Sequence, residues 1–578
     1  MARIRKIEIS NFRGIQRLEW LPSRGVNCLI GPGDTGKSTI LDAIDLCLGA
    51  RRNAQFSDAD FHKLNVDTPI QISLTVGELD DALKNFETYG EFLRGFDAET
   101  GVVEDEPEKD SEIALTVMLT VGIDLEPVWA LYSDRAAAQG KFRNLVWGDR
   151  VRLAPTRIGA TADYHLAWRR GSVLNRLSDE TVDVARALVG AARDARKAFG
   201  DQADAQLSAA LEIVAKTATD LGIPVGETVK AMLDAHSISF AGGMISLHDE
   251  SGVPLRGLGL GSTRLLIAGL QRSASATSSV ILVDEVEHGL EPHRIIRFLG
   301  SLGAKENQPP LQAFLTSHSP VVLRELDGDQ LVVLRDRGDH HETLVVGTDD
   351  DTQGTIRLFP DAFLAPSVLV GEGATEVGFV RGIDLYRVEQ GFASIASFGT
   401  ALVNVGGGHP DKAYERATAF QRLGYRIAVL RDDDVKPNAG PEQAFLHAGG
   451  EVFACLEGGA LEDDLFRSLS HEGVAALLAR AVDLHGEELV AAHIESASNG
   501  RVKLDRILAE IDFAQEVSEE NRKILAAAAR SKKASWFKNV GDMEDAAREI
   551  IGPDLEHADK GFRDFVEDIF RWASKKSG

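Results

Sequence analysis

Residues 3–9, RIRKIEI, alternate polar and apolar side chains, the period of a strand with one wet face. NFRGIQRLEWLP continues with a turn at Gly14 and a second strand, and the apolar run Val26–Ile30 makes a buried third. Residues 40–48, ILDAIDLCL, then change to helical spacing. SDADFHK carries helix-start chemistry at Ser57 and Asp58. PIQISLTV (69–76) and IALTVMLTV (113–121) are rich in β-branched residues and predict further strands, separated by the acidic, solvated stretch GVVEDEPEKDSE. From about Asp179 to His236 the apolar positions recur every three or four residues, which predicts long helices with one apolar stripe each. Strands return at 237–247, at Val280–Val283, at QAFLTSHSP (312–320), and as a last pair, QLVVLR and ETLVVG. After a linker at 349–365, Val368–Val370, VNVGGGHPDKAYERATAF (403–420) and Ile427–Leu430 alternate strand, glycine turn and helix. That is βαβ construction, so the fold class is α/β.

At 578 residues the chain exceeds one core. Only three cysteines occur, Cys28, Cys47 and Cys455, without paired spacing, which argues against a disulfide framework or zinc site and for a reducing, cytoplasmic setting. The opening MARIRKIEIS lacks secretory character, and no apolar stretch of about 18 residues predicts a membrane span. A net charge of −26 leaves a nucleic-acid partner only a local basic path.

GPGDTGKST, residues 31–39, fits G-x-x-x-x-G-K-[ST] between a strand and a helix. Gly31, Gly33 and Gly36 are expected to allow positive φ and close approach to phosphate, with backbone N–H groups and the helix dipole opposing its charge. Lys37 would reach the β- and γ-phosphates of ATP, and Ser38, beside Thr39, would ligate Mg²⁺. The run Val280–Val283 ends in Asp284, placed to hold Mg²⁺, and Glu285, placed to orient the attacking water. His318, at the end of the QAFLTSHSP strand, is either a γ-phosphate sensor or a structural histidine.

This order of parts resembles the ABC-type ATPase head of SMC and RecF-like DNA-repair ATPases. RIRKIEISNFRGI is similar to their opening strands, GPGDTGKST to their Walker A and VILVDE to their Walker B. LGLGSTRLL, with Gly259, Gly261 and Ser262, resembles a divergent signature motif, with Gly259 where that motif has serine. LEPHR (290–294) resembles the D-loop and His318 the switch histidine. In such heads the signature of one copy completes the nucleotide site of another, so the resemblance implies a homodimer or higher even oligomer. The inserted helical segment is either a dimerisation arm or an internally packed subdomain.

In the second half, Glu372 ends one strand, Glu376 lies one turn into the next helix, and Asp432, Asp433 and Asp434 end another strand. Side chains alternate along a strand, so Asp432 and Asp434 share a side that Asp433 avoids. Two parallel strands ending in carboxylates make an oxygen pocket suited to Mg²⁺ or Mn²⁺. Glu462, in LEDDLF, is a further candidate ligand or an ordinary helix-start acid. EGATE with Asp-x-Asp resembles a Toprim domain, a Rossmann-like module of topoisomerases, primases and some nucleases. A head followed by Toprim resembles the OLD (overcoming lysogenization defect) family of ATP-dependent nucleases, including the Gabija antiphage nuclease subunit. Lys538, in RSKKASWFKNV, resembles the lysine that class 2 members place at the nuclease site; the alternative is a surface lysine.

The expectation is therefore a head with its N-terminal lobe at 1–165, arm at 166–236 and C-terminal lobe at 237–348, then a Toprim domain with helical tail at 366–578. The expected activity is ATP hydrolysis coupled to Mg²⁺- or Mn²⁺-dependent DNA cleavage, in antiphage defence or DNA processing. DNA is the expected partner, with Arg13, Arg51, Arg52, Lys532 and Lys533 as candidate phosphate contacts, and the resemblance admits a helicase partner protein. The rivals are a non-nucleolytic ATP-gated DNA clamp, a topoisomerase-like transesterase and a primase. The six tyrosines, Tyr89, Tyr132, Tyr164, Tyr386, Tyr414 and Tyr425, lie in no recognisable winged-helix context, and the cysteines do not make a primase zinc site.

Overall fold

A computed structural model describes residues 2–159, 162–166, 172–177, 247–252, 254–274, 279–456, 458–514, 516–531 and 534–575, with isolated positions at 190, 194, 208 and 211–212. The expected arm at 166–236, the strands expected at 237–247, Lys532 and Lys533 lie wholly or largely outside the described residues. The chain divides into two compact units. One comprises Met1–Cys28, Gly36–Val322 and Asp336–Glu342; the other comprises Leu29–Thr35, Leu323–Arg335 and Thr343–Gly578.

The first unit carries an antiparallel wing. β1 (Arg3–Phe12) pairs with β2 (Ile15–Trp20) on one side, Phe12 opposite Ile15, and with β4 (Ile70–Gly77) on the other. β7 (Glu112–Val121) follows β4 and takes both β5 (Leu93–Phe96) and β8 (Pro127–Tyr132) as neighbours. The wing alternates buried Ile4, Ile7 and Ile9 with wetter positions, as the opening pattern predicts. The β1–β2 turn does not use Gly14 for its strained backbone. Arg13 takes a φ of 48° instead, held by Asp60, whose Oδ1 accepts from its Nε at 2.9 Å.

A parallel block positions the nucleotide motifs. β10 (Val280–Val283) lies between β9 (Thr156–Ile158) and β11 (Gln312–Thr316), and both pairings are parallel. All four residues of β10 and all five of β11 are buried, the apolar run expected of a parallel strand covered on both faces. β3 (Val26–Ile30) has the same fully buried character and feeds the helix Lys37–Leu48. Sequence periodicity misses β5, β8 and β9, which contain a glycine, start on proline, or run for only three residues.

In the second unit the stretch expected as a linker folds. Asp349 caps a helix, Asp350–Leu358, by accepting from Thr352 N–H at 2.9 Å, and Ile356, Ala362 and Phe363 are buried. A four-stranded sheet follows in the order β15 (Thr400–Asn404), β14 (Ser367–Gly371), β16 (Arg426–Arg431) and β17 (Glu451–Ala454), parallel throughout. Helices Ala374–Glu389 and Asp411–Arg422 make the first two crossovers, which is the predicted βαβ pattern. The helical tail packs on this sheet around Trp536, Phe537 and Phe562, all fully buried. Gly378 and Gly382 allow the close approach: a Cβ at Gly378 would lie 2.6 Å from Val540 O, and one at Gly382 would strike Glu544 O. Among the described residues, no helix is long and apolar enough to cross a membrane.

Candidate functional site

Two groups of candidate side chains lie at strand ends and on the helices beside them. In the first, the loop between β3 and the helix Lys37–Leu48 takes positive φ at Gly31 (129°), Asp34 (58°) and Gly36 (88°). Gly33 does not, and a Cβ there would meet nothing within 4 Å, so the left-handed residue is Asp34, contrary to expectation. Lys37 and Ser38 occupy the first helical turn, Lys37 buried and Ser38 exposed, with Thr39 half-buried behind them. Ser38 Oγ donates to Asp284 Oδ1 at 2.9 Å, and Thr316 Oγ1 donates to the same oxygen at 2.6 Å. The hydroxyl and carboxylate expected to share a divalent cation are thus already adjacent.

Glu285 is exposed and left-handed at φ 48°, with its N–H held by Thr316 Oγ1 at 2.8 Å. Strain of this kind in a non-glycine residue persists where surrounding contacts enforce it. His318 is exposed after β11, its N–H donating to Glu287 Oε1 at 2.8 Å, while Ser317 Oγ donates to the other Glu287 oxygen at 2.8 Å. Sequence reasoning missed Glu287 as the anchor of the His318 loop.

The signature-like segment forms the helix Leu260–Ser273, capped by Gly259. Gly261 is buried, and a Cβ there would strike Gly289 O, so this glycine serves close packing in its own chain. Ser262 accepts from Arg294 Nη1 at 3.1 Å. Arg264, unanticipated, is buried and donates to the carbonyls of Asp284 and Glu285, each at 3.0 Å, which fixes the turn carrying both acids. Two expected DNA contacts are otherwise engaged: Arg13 binds Asp42 and Asp60, and Arg51 binds Asp45. Arg52 stacks over the Trp147 ring at 5.1 Å.

The second group sits at the C-terminal ends of β14 and β16, whose register pairs Gly371 with Leu430. Glu372 follows directly, its N–H donating to Leu430 O at 2.9 Å. Glu376 is 3% exposed, and its Oε2 accepts from Gly373 N–H at 2.6 Å, which is the glutamate's half of a capping box. Asp432 Oδ1 accepts from Leu461 N–H at 2.9 Å, which seats the helix Leu461–Ser468 and its buried Glu462 against the strand end. Asp433, which like its two neighbours lies beyond the end of β16, has different partners. It is buried, pairs with Arg431 at 2.9 Å and Lys436 at 2.6 Å, and accepts from Gly458 N–H at 2.9 Å.

Burial, then the charge of Asp432, pushes the Glu372 and Glu462 carboxyls up to about 7. The same causes push Glu376 well above the usual carboxylate range. Asp432 is also raised, by burial and by Asp434, against the pull of Leu461 N–H. Four acids, two after strand ends and two on helices, therefore resist ionisation, through burial first and neighbouring acids second. Glu372 Oε2 is buried with no hydrogen-bond partner, an acceptor that a cation would satisfy. Among the described residues, however, no three acid, histidine or cysteine side chains stand at metal-gripping spacing. Arg530, missed by sequence, lies 3.5 Å from Asp434 and 3.2 Å from Asp463. Lys538 is exposed beyond the buried Trp536–Phe537 pair.

The family described as AAA ATPase domain matches residues 3–116, and that described as AAA domain, putative AbiEii toxin, Type IV TA system, matches residues 143–324. The chain thus carries AAA-family ATPase domains across the portion that holds Lys37, Ser38 and Asp284. Neither of these two families is a Toprim or an OLD family. No curated protein matches. Among solved structures, an Smc head domain with an extended coiled coil bound to the C-terminal domain of ScpA, derived from Pyrococcus furiosus, is 12% identical with a TM-score of 0.33. The match covers 60% of this chain and 96% of that one. The SMC head domain from Thermotoga maritima is 15% identical with a TM-score of 0.30, over 60% and 100% of the two chains. The recombination mediator protein RecF is 11% identical with a TM-score of 0.31, over 59% and 98%.

Proposed function

We propose that this chain is an ATP-dependent DNA endonuclease, in which an ABC-type ATPase head governs a Toprim-like site of the OLD-family kind. The observation that carries the reading is the placing of Glu372 and Asp432 after two neighbouring parallel strands, with Glu376 and Glu462 buried on the helices Ala374–Glu389 and Leu461–Ser468 and all four held toward the protonated form by burial and by neighbouring acids. Acids so arranged are costly unless a cation joins them. The donor set is all hard oxygen and includes the unpartnered Glu372 Oε2, which fits Mg²⁺ or Mn²⁺. Glu372, Glu376, Asp432, Asp434 and Glu462 are the ligands proposed. Bound there, a divalent pair would supply neutralisation of a scissile phosphate and acidification of a water. Arg530, at the exposed rim, and Lys538 are the groups proposed to take up phosphate charge.

In the ATPase half, Lys37 contacts the nucleotide phosphates, Ser38 and Asp284 face its cation, Glu285 orients water and His318 reads the γ-phosphate. Gly261 and Ser262 are the signature residues proposed to meet nucleotide across a homodimer. DNA is the proposed substrate, with antiphage defence or DNA processing as the setting and a helicase as a further partner.

The second reading, a non-nucleolytic ATP-gated DNA clamp, is favoured by the absence of three acids at metal-gripping spacing among the described residues. Incubation of supercoiled plasmid with Mg²⁺ or Mn²⁺, with and without ATP, separates the two. The nuclease reading expects nicked or linear product that Glu372→Ala abolishes and that Lys37→Ala makes insensitive to ATP. Intact plasmid in every lane, with ATP turnover retained, selects the clamp.

A further inference from the structure

Outside both nucleotide motifs, one guanidinium faces the Walker B carboxylate. Arg157 lies on β9, opposite Leu282 in the parallel pairing with β10. Its Nη1 is 2.6 Å from Asp42 Oδ1 and 3.5 Å from Asp45 Oδ2, and its Nη2 is 3.9 Å from Asp284 Oδ2. Asp42 and Asp45 are three residues apart on the helix that begins with Lys37 and Ser38, so they share one face. Each is braced by a second arginine, Asp42 by Arg13 and Asp45 by Arg51.

The two oxygens of Asp284 therefore have different surroundings. Oδ1 accepts two neutral hydroxyl hydrogen bonds, from Ser38 and Thr316, whereas Oδ2 faces a fixed positive charge too distant for a hydrogen bond. With its side chain only 33% exposed, Arg157 has little freedom to leave. We propose that Arg157 is a positioning residue for the divalent cation of the bound nucleotide, setting the rotation of the Asp284 carboxylate and tying it to the P-loop helix. The planar guanidinium reaches Asp42 and Asp284 from two different nitrogens. A lysine supplies one charge centre and does not span both. The inference rests on Asp284 being the acid that faces this cation.

The test is titration of the full chain with a fluorescent ADP analogue across a range of Mg²⁺ concentrations. Asp284→Asn tests the underlying reading and is expected to abolish the Mg²⁺-dependent tightening. For Arg157→Gln the expected result is unchanged affinity without Mg²⁺ and a half-saturating Mg²⁺ concentration raised about tenfold, as for loss of a group that orients a metal ligand. Arg157→Lys should recover part of that shift, and Asp42→Asn, which frees the anchor, should reproduce it. Thermal melts identify any variant that does not fold; the folded variants at Arg157 and Asp42 then decide. An unchanged Mg²⁺ midpoint in the folded variants, with Asp284→Asn impaired, overturns the role of Arg157 alone. An unchanged midpoint in Asp284→Asn overturns the reading beneath it as well.

Discussion

Asp432, Asp433 and Asp434 are identical side chains in consecutive positions with three different tasks. Asp433 is held down to about 2: burial alone would raise it, but Gly458 N–H, Lys436 and Arg431 outweigh that penalty. Removing it leaves Arg431 buried without its closest carboxylate, so Asp433→Ala should lower stability by about 3 kcal/mol in a denaturant melt. Asp434→Ala, at an exposed position, should stay within about 0.5 kcal/mol. The run of three acids after an apolar strand is legible in the sequence; the division of tasks among them comes from their partners, since all three lie beyond the end of β16. The role of Arg157 is not legible, because its partners lie 115 and 127 positions away along the chain and a three-residue strand carries no periodic signal. Arg530 is hidden for the same reason: Asp434 and Asp463 reach it only after the helical tail has folded back.

The acid cluster also sets a pH dependence. Glu372 and Glu462 titrate near 7 in the fold and near the ordinary carboxylate value when unfolded. The folded state therefore binds more protons between about pH 4.5 and 7, so stability from these groups is full below that window and is lost as pH rises through it. The metal-free chain should show a melting temperature that falls across this window, and Glu372→Gln with Glu462→Gln should flatten the slope. Added Mn²⁺ should restore stability most strongly at the upper end, since cation binding favours the ionised acids.

At the scale of elements, the helix Ala374–Glu389 carries the consequence of two small residues. Gly378 and Gly382 lie one turn apart against the backbone of Val540 and Glu544, and any larger side chain must push the helices apart. Gly382→Val should cost about 1–3 kcal/mol through overpacking, whereas Leu385→Ala, on an exposed position, should be near neutral. The long, regular elements around the motifs are visible as pattern: β1, β3, β10, β11, β14 and β16 all follow runs of apolar or alternating residues. The stretch at 349–365 misleads, because DDDTQGT looks like solvated linker and gains its helix from Asp349 capping and from the burial of Ile356 and Phe363.

Across the whole molecule, charge is the constraint. A chain of net charge −26 repels a polyanion except along local cationic paths. Arg13 and Arg51 are engaged by carboxylates, and Arg530, at the rim of the acid group, is itself paired with Asp434 and Asp463. DNA binding should accordingly be weak in metal-free protein, and divalent cations should strengthen it by neutralising the acids. A gel-shift series in Ca²⁺ against chelator checks this, and equal affinity in both would count against the site as a phosphate-facing centre.

The whole reading rests on Glu372, Glu376, Asp432 and Glu462 gathering divalent cations. Calorimetric titration of Mn²⁺ into the nucleotide-free chain at neutral pH is the decisive experiment. The expected result is saturable binding that releases protons and is lost in both Asp432→Ala and Glu376→Gln. Binding that survives both substitutions, or no binding in the wild-type chain, contradicts it.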